Sequence, residues 1–175
     1  MGFCGGKSMY QVGEQVVYGM HGVCCVIEEE RKVIDRKAVC YLVLEPVGQA
    51  GSRYLVPTHN AAAMEKIHPV LTKEEMDAML SSPEVKTECW IRDEGQRKQL
   101  YRELITAGDR VRLAQMVRTL YAHKQAQLTA GKKVHLCDDN FLRDAEKLLV
   151  NEAAIVFGME QEQAKQYIRC KLKEE

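Results

Sequence analysis

Nothing in this 175-residue sequence approaches the ~20 consecutive apolar residues that a membrane-spanning helix needs, so no membrane association is expected. The first eight residues, Met1 to Ser8, are glycine-rich with one lysine and lack the apolar core of a secretory signal. They read as a disordered lead-in, with Met9 as the natural beginning of the folded chain. There is no glycine-rich phosphate loop, no HExxH and no CxxC, the usual marks of nucleotide-using enzymes, zinc proteases and thiol redox or zinc sites. The seven cysteines are odd in number, and the adjacent Cys24 and Cys25 would point to opposite faces of a strand. That pattern is neither a disulfide framework nor a zinc cluster, and scattered thiols fit a reducing cytosol. His59, His68, His123 and His135 show no ligand spacing among themselves, so no metal and no cofactor is expected.

What is present is an ordinary globular composition, 46% apolar and 29% charged, with no net charge. The charge is uneven. Residues 88–133 carry ten Lys and Arg against five Asp and Glu, a net of +5, while the flanking segments are slightly acidic. A basic segment inside a neutral chain is a footprint for an anionic partner, or else a solvated helix surface.

The pattern changes character near residue 70. Before it, short apolar runs alternate with turn residues: Val12 to Tyr18, Val23 to Ile27, Ala38 to Leu44, Arg53 to Val56 stopped by Pro57, and Met64 to Ile67. The charged stretch Glu28 to Lys37 reads as a link between two of these strands. Five short strands in about 60 residues suggest a small SH3-like or Tudor-like β-barrel. After residue 70 the period is helical. Thr72 with Glu75 forms a capping box, Ser81-Ser82-Pro83 breaks the helix, and Gly108 with Asp109 separates two longer helices. Leu113, Met116, Val117, Leu120 and Tyr121 make one apolar stripe; Leu142, Ala145, Leu149, Ala153 and Val156 make another. The expected fold is α+β in two domains: a lead-in over 1–8, a β-barrel over 9–70 and a compact all-α domain over 71–175.

Chemistry-bearing constellations are few. His21 beside Cys24 and Cys25 is the one nucleophile-like pairing, yet strand cysteines usually behave as small buried hydrophobes. No catalytic residue is expected. Trp90, the single tryptophan, is set among polar neighbours and followed by Arg92, Arg97, Lys98 and Arg102. It reads either as a plug between the two domains or as an exposed aromatic at a helix start. An exposed aromatic among cations can press against bases while the cations hold phosphates.

Taken in order, these residues resemble the CarD family. The opening Tyr10-Gln-Val-Gly-Glu-Gln-Val-Val-Tyr-Gly-Met-His-Gly-Val23, the run Tyr41-Leu-Val-Leu44, and Leu55-Val-Pro57 before Asn60 look like its first domain. That domain is similar to the polymerase-interaction module of transcription-repair coupling factor. Trp90, the basic helix ending in Ala107-Gly108-Asp109, Val117-Arg118-Thr-Leu-Tyr121, Leu128-Thr-Ala-Gly131 and the later Ala145 to Ala153 segment match the helical half. The resemblance covers about residues 9 to 160.

The resemblance implies a non-enzymatic bacterial regulator, cytoplasmic and nucleoid-associated, acting as a monomer. Its barrel would dock on the β subunit of RNA polymerase. Its helical domain would reach promoter DNA at the upstream fork, with the tryptophan in the minor groove, and stabilise the open complex. Carried over by position, Trp90 is the wedge, with Arg92, Arg97, Lys98 and Arg102 as phosphate contacts. Arg31 and Lys32 are the basic polymerase contacts. A second such contact falls on Leu55 here, which leaves Arg53 as the nearest cation, and the segment from the tryptophan to Gly108-Asp109 is longer than in some members. A purely protein-binding adaptor with no direct DNA role is the alternative.

Overall fold

The computed structural model describes residues 9–173, so the lead-in over 1–8 lies outside the described residues. The chain divides into two compact units between Val70 and Leu71.

The first unit is a five-stranded antiparallel sheet with a single helical turn before its last strand. Its strands are β1 (Gln15–Tyr18), β2 (Val23–Ile34), β3 (Lys37–Pro46), β4 (Tyr54–Pro57) and β5 (Ile67–Pro69), in spatial order β4-β3-β2-β1-β5. Helix α1 (Ala61–Met64) is capped by the Asn60 side chain, which accepts from the Ala63 amide. Three prolines, Pro46, Pro57 and Pro69, end strands, where a residue with no N–H costs the ladder least. All five strands feed one core, Val16, Cys24, Val26, Leu42, Leu44, Val56 and Ile67 among it, so the sheet curls to bring both edges to the same interior. Tyr10 closes the end of that core and donates its hydroxyl to the Ile67 carbonyl at 2.9 Å. Between β1 and β2 the chain reverses through Gly22, whose φ of 72° and ψ of −150° are open to glycine alone.

The stretch Glu28 to Lys37 is not a link. It extends β2 to Ile34 and starts β3 at Lys37, as an exposed two-stranded ribbon. Its charges conceal the strand because neither face of the ribbon is buried, so no apolar alternation marks it. A β-bulge at Ile27 shifts the register. Cys24 and Val26 face the core, and strict alternation would send Glu28 there next. The bulge instead places Glu28 opposite Val43, on the other face. The two-residue turn, Asp35 and Arg36, has positive φ at both positions, 50° and 63°, as a type I′ hairpin demands.

The second unit is helical: α2 (Lys73–Leu80), α3 (Pro83–Lys86), α4 (Glu94–Ala107), α5 (Arg110–Thr129), α6 (Leu136–Phe157) and α7 (Gln161–Lys173). The Thr72–Glu75 capping box forms. Ser81-Ser82-Pro83 ends α2 and at once starts α3, because Ser82 caps it and Pro83 fits a first helical position. Gly108, left-handed at φ 69°, stops α4, and Asp109 caps α5 one residue later. Leu113, Met116, Val117 and Leu120 of α5 pack with Leu142, Ala145, Leu149 and Ala153 of α6 and with Ala164, Ile168 and Leu172 of α7. Tyr121 and Val156, the ends of the two sequence stripes, are only partly buried. Among the described residues, no helix is long and apolar enough to cross a membrane.

Polar ties cross this core. Glu152 accepts from Arg110 Nε at 2.8 Å and from the Leu71 amide at 3.2 Å. Glu146 accepts from Arg169 Nε at 2.7 Å and from the Tyr121 hydroxyl, joining α5, α6 and α7. Burial pushes the Glu146 carboxyl up, but the bonds from Arg169 and Tyr121 outweigh it and hold the group below its ordinary value.

Two outcomes are expected. Arg36→Gly relieves a left-handed cost of about 1–2 kcal/mol, partly offset by the entropy of glycine. It should raise the urea-unfolding free energy by about 0.5–1 kcal/mol. A carboxyl depressed on folding stabilises the folded state above its unfolded value, and that stability is lost as pH falls through the folded value. Urea unfolding should therefore show wild type losing more stability than Glu146→Gln between about pH 6 and about pH 3.

Candidate nucleic-acid interface

Trp90 lies in the seven-residue connection between α3 and α4, not on a helix. Neighbouring Cys89 is pinned to α5, its amide donating to the Thr119 hydroxyl at 3.1 Å. One helical turn beyond Thr119 comes His123, so that pin brings the indole over the imidazole. The two rings stack at 3.6 Å between centroids and 13° between planes. His123 Nε2 is held 2.7 Å from Glu88 Oε1.

The guanidinium of Arg97 lies over the same indole, 4.2 Å from its centroid. Two groups this close to one ring cannot share a face, so Trp90 is clamped between His123 and Arg97. Arg97 is 3% exposed. Its Nε and Nη2 each donate at 3.0 Å to the two carboxylate oxygens of buried Asp138, in the first turn of α6. Its Nη1 donates to the carbonyls of Ile91 at 2.8 Å and Arg92 at 3.3 Å. The indole packs against the rim of the helical core, where it is partly exposed. With both faces covered, what it presents is its edge. The hollow beside it has a volume of about 10 Å³, room for about one water and no organic ligand.

The four cations that follow Trp90 part company. On α4, Arg97, Tyr101 and Leu104 form the buried stripe, and Arg97 takes its first position. Its donors are spent inside the protein, so it positions Trp90 and is not placed to hold a phosphate. Lys98 and Arg102, one turn apart, share a different face of α4; Arg102 is exposed and Lys98 partly so. Lys98 pairs with Glu94, whose carboxyl it pulls down by hydrogen bond and charge. Arg92 is exposed just before the helix. His123, Glu88, Thr119 and Asp138 complete the arrangement, and sequence reasoning did not find them. The legible signal was the spacing of Arg97 to Tyr101 and Leu104, which marks a core position.

On the sheet unit the three expected polymerase contacts also divide. Lys32 lies opposite Val39 and Glu28 opposite Val43, so Lys32 and Glu28 share one face, and Arg53 joins it by pairing with Glu28 at 3.4 Å. Lys32 pairs with Glu30 at 3.4 Å. Arg31, opposite Cys40, faces the other way. Both pairs are exposed and easily exchanged for a partner's carboxylates.

His21 is not a general base for a thiol. Its ring is 4.1 Å from Tyr54 and 5.1 Å from Tyr18, centroid to centroid, and Cys24 Sγ points to the Gly22 carbonyl at 3.7 Å. Burial and the adjacent Cys25 push the Cys24 thiol up to about 11, so almost none of it is thiolate at neutral pH. Cys40 is disulfide-bonded, so the expectation of scattered unpaired thiols does not hold there. Among the described residues, no His, Cys, Asp and Glu cluster could hold a metal ion.

A curled antiparallel sheet followed by a helical unit that carries one clamped tryptophan is a two-domain α+β architecture. Two family models match its halves: the CarD-like/TRCF RID domain over residues 10–68, and the CarD C-terminal domain over residues 75–169. The second alone spans more than half the chain, and the chain belongs to the CarD family. That makes it a transcription regulator of the RNA polymerase-interacting type, a family that is not enzymatic. It is similar to YdeB of Bacillus subtilis (strain 168), by name a candidate transcription factor, at 24% identity over 170 residues, covering 91% of this chain and 99% of that protein.

Removing Arg97 leaves Asp138 buried and unpaired, so Arg97→Ala should cost about 3–5 kcal/mol in urea unfolding and redden Trp90 fluorescence. Arg102→Ala should stay within about 0.5 kcal/mol of wild type in the same measurement.

Proposed function

We propose that this protein stabilises the promoter open complex by setting the Trp90 edge against the upstream fork while its sheet unit holds the β subunit of RNA polymerase. The observation that carries this reading is the clamp. An indole with both faces covered cannot stack on a base, but a rigid edge can enter a minor groove and oppose reannealing. Because His123 and Arg97 already fix the ring, little rotamer freedom is lost on binding. Arg92, Lys98 and Arg102 supply the phosphate contacts around it, and Arg97 acts only through Trp90.

Three surface cations give weak affinity for isolated DNA, in the non-specific range of roughly 10⁻⁴–10⁻⁶ M. Docking on polymerase raises the effective concentration of the helical unit at the fork. On this account Lys32 and Arg53 face the β subunit from one side of the β2–β3 ribbon. Arg31, on the ribbon's other side, makes a separate contact. The effect is a shift in the closed-to-open equilibrium and needs no reaction. It is a monomer's action, in the cytoplasm, on the nucleoid.

The test is promoter open-complex lifetime measured beside polymerase pull-down. Trp90→Ala should shorten the lifetime threefold or more, about 0.6 kcal/mol, and leave the pull-down unchanged. Arg92→Ala combined with Arg102→Ala should weaken fork binding and flatten its salt dependence. Full activity without the indole, or salt-independent behaviour, would move the reading to a protein-only adaptor.

A further inference from the structure

The two groups that clamp Trp90 are not alike. One is buried: the Arg97 and Asp138 side chains are 4% and 9% exposed, and a guanidinium keeps its charge throughout the range in which proteins work. The other is open to solvent: the His123 and Glu88 side chains are 30% and 66% exposed. Imidazole is the side chain whose charge ordinarily changes between about pH 5 and about pH 8. The indole therefore lies between a permanent cation and a ring that becomes a cation when it gains a proton.

The surroundings of His123 decide what that proton does. On α5 its neighbours one turn away are Thr119, Leu120, Ala126 and Gln127, none of them charged. Next to it in sequence, Lys124 shares Asp139 with Arg143. On α6, Asp138, which lines the same hollow, is taken by Arg97. In the connection before α4, burial pushes the Cys89 thiol up, so it is uncharged at neutral pH. Among the described residues, Glu88 is the carboxylate in ion-pair reach of the imidazole, with Oε1 2.7 Å from Nε2. A proton on His123 then acts twice. It turns the hydrogen bond to Glu88 into an ion pair, and it sets positive charge over an indole face, which attracts cations. Glu88 stands two residues before Trp90, so the ion pair ties the connection to α5 beside the indole itself. Loss of the proton leaves the ring stacked but neutral, a weaker hold, while the Arg97 side of the clamp is unchanged.

We infer that His123 and Glu88 make the tryptophan clamp pH-responsive, tight when the imidazole is protonated and looser when it is neutral, with Glu88 as a positioning residue that acts through His123. This rests on the reading of Trp90 as the fork contact and adds a regulation of it: the effect on the open complex grows as pH falls through the histidine range.

Trp90 is the single tryptophan, so its fluorescence reports the clamp with neither DNA nor polymerase present. Time-resolved anisotropy of the full chain should show the fast local motion of the indole growing about twofold between about pH 6 and about pH 8. His123→Arg, a planar cation at both pH values, should keep the motion small and pH-independent. His123→Ala should leave it large at both, with an unchanged circular dichroism spectrum. Glu88→Gln, which keeps the shape and removes the charge, should enlarge the motion at the lower pH. Motion that is the same at both pH values in wild type, a pH response that survives His123→Ala, or a Glu88→Gln variant that behaves as wild type overturns the inference. The second measurement is open-complex lifetime, taken as the ratio of wild type to Trp90→Ala so that the polymerase's own pH dependence cancels. The ratio should be about twofold larger at about pH 6 than at about pH 8, and the same ratio for His123→Arg should not change. A ratio of one at both pH values, with the anisotropy response intact, overturns the fork reading and the regulation with it, and supports the clamp alone. A ratio above one that is equal at both pH values overturns the regulation and leaves the fork reading standing.

Discussion

The helical unit depends on one buried charge. The Arg97 guanidinium is 3% exposed, and an unpaired cation there would be very costly. Asp138 supplies both of its oxygens, which locks the first turn of α4 to the first turn of α6. The Ile91 and Arg92 carbonyls engage a further nitrogen, so the connection before α4 is fixed by the same group. Its flat face then covers the indole of Trp90. A lysine could not replace it, having neither the bidentate fork nor the planar face. One side chain thus sets two helices, one loop and the orientation of the proposed contact residue.

The proposed function follows from what that arrangement leaves exposed. Stacking on His123 and Arg97 removes both indole faces from use and leaves an edge in a fixed direction. A free tryptophan would spread over several rotamers and lose that freedom on binding. The cations left at the surface, Arg92, Lys98 and Arg102, are near the site in sequence and in the proposed function would hold phosphates and not read bases. The sheet unit makes a comparable separation. The bulge at Ile27 takes Glu28 off the core face, and there it meets Arg53 on an exposed side.

The legible parts of the fold were those with local causes. The Thr72–Glu75 box, the Gly108–Asp109 stop and start, and the stripe from Leu113 to Leu120 needed only capping chemistry and period, and each appears where those place it. The ribbon from Glu28 to Lys37 was misread as a link because strands are recognised by a buried face, and this one has none. Its turn carries Asp35 and Arg36 where the common signal would be Asn-Gly. At the site, Trp90 was legible as a single aromatic among charges. Arg97 was grouped with its basic neighbours although its spacing to Tyr101 placed it in the core.

The sequence by itself determined the class: a short-stranded first half, a helical second half, and a residue order shared with the CarD family. The strands and helices follow from periodicity and caps, whose interactions span a few residues; the family likeness rests on the order of the motifs. Only the tertiary structure decided which cations face solvent and which hold the protein together. His123 lies 33 residues from Trp90, and Asp138 lies 41 from Arg97. No local rule connects partners at such separations. They meet because the packing of α4, α5 and α6 brings them there, and the chemistry of the site exists only after that packing is complete.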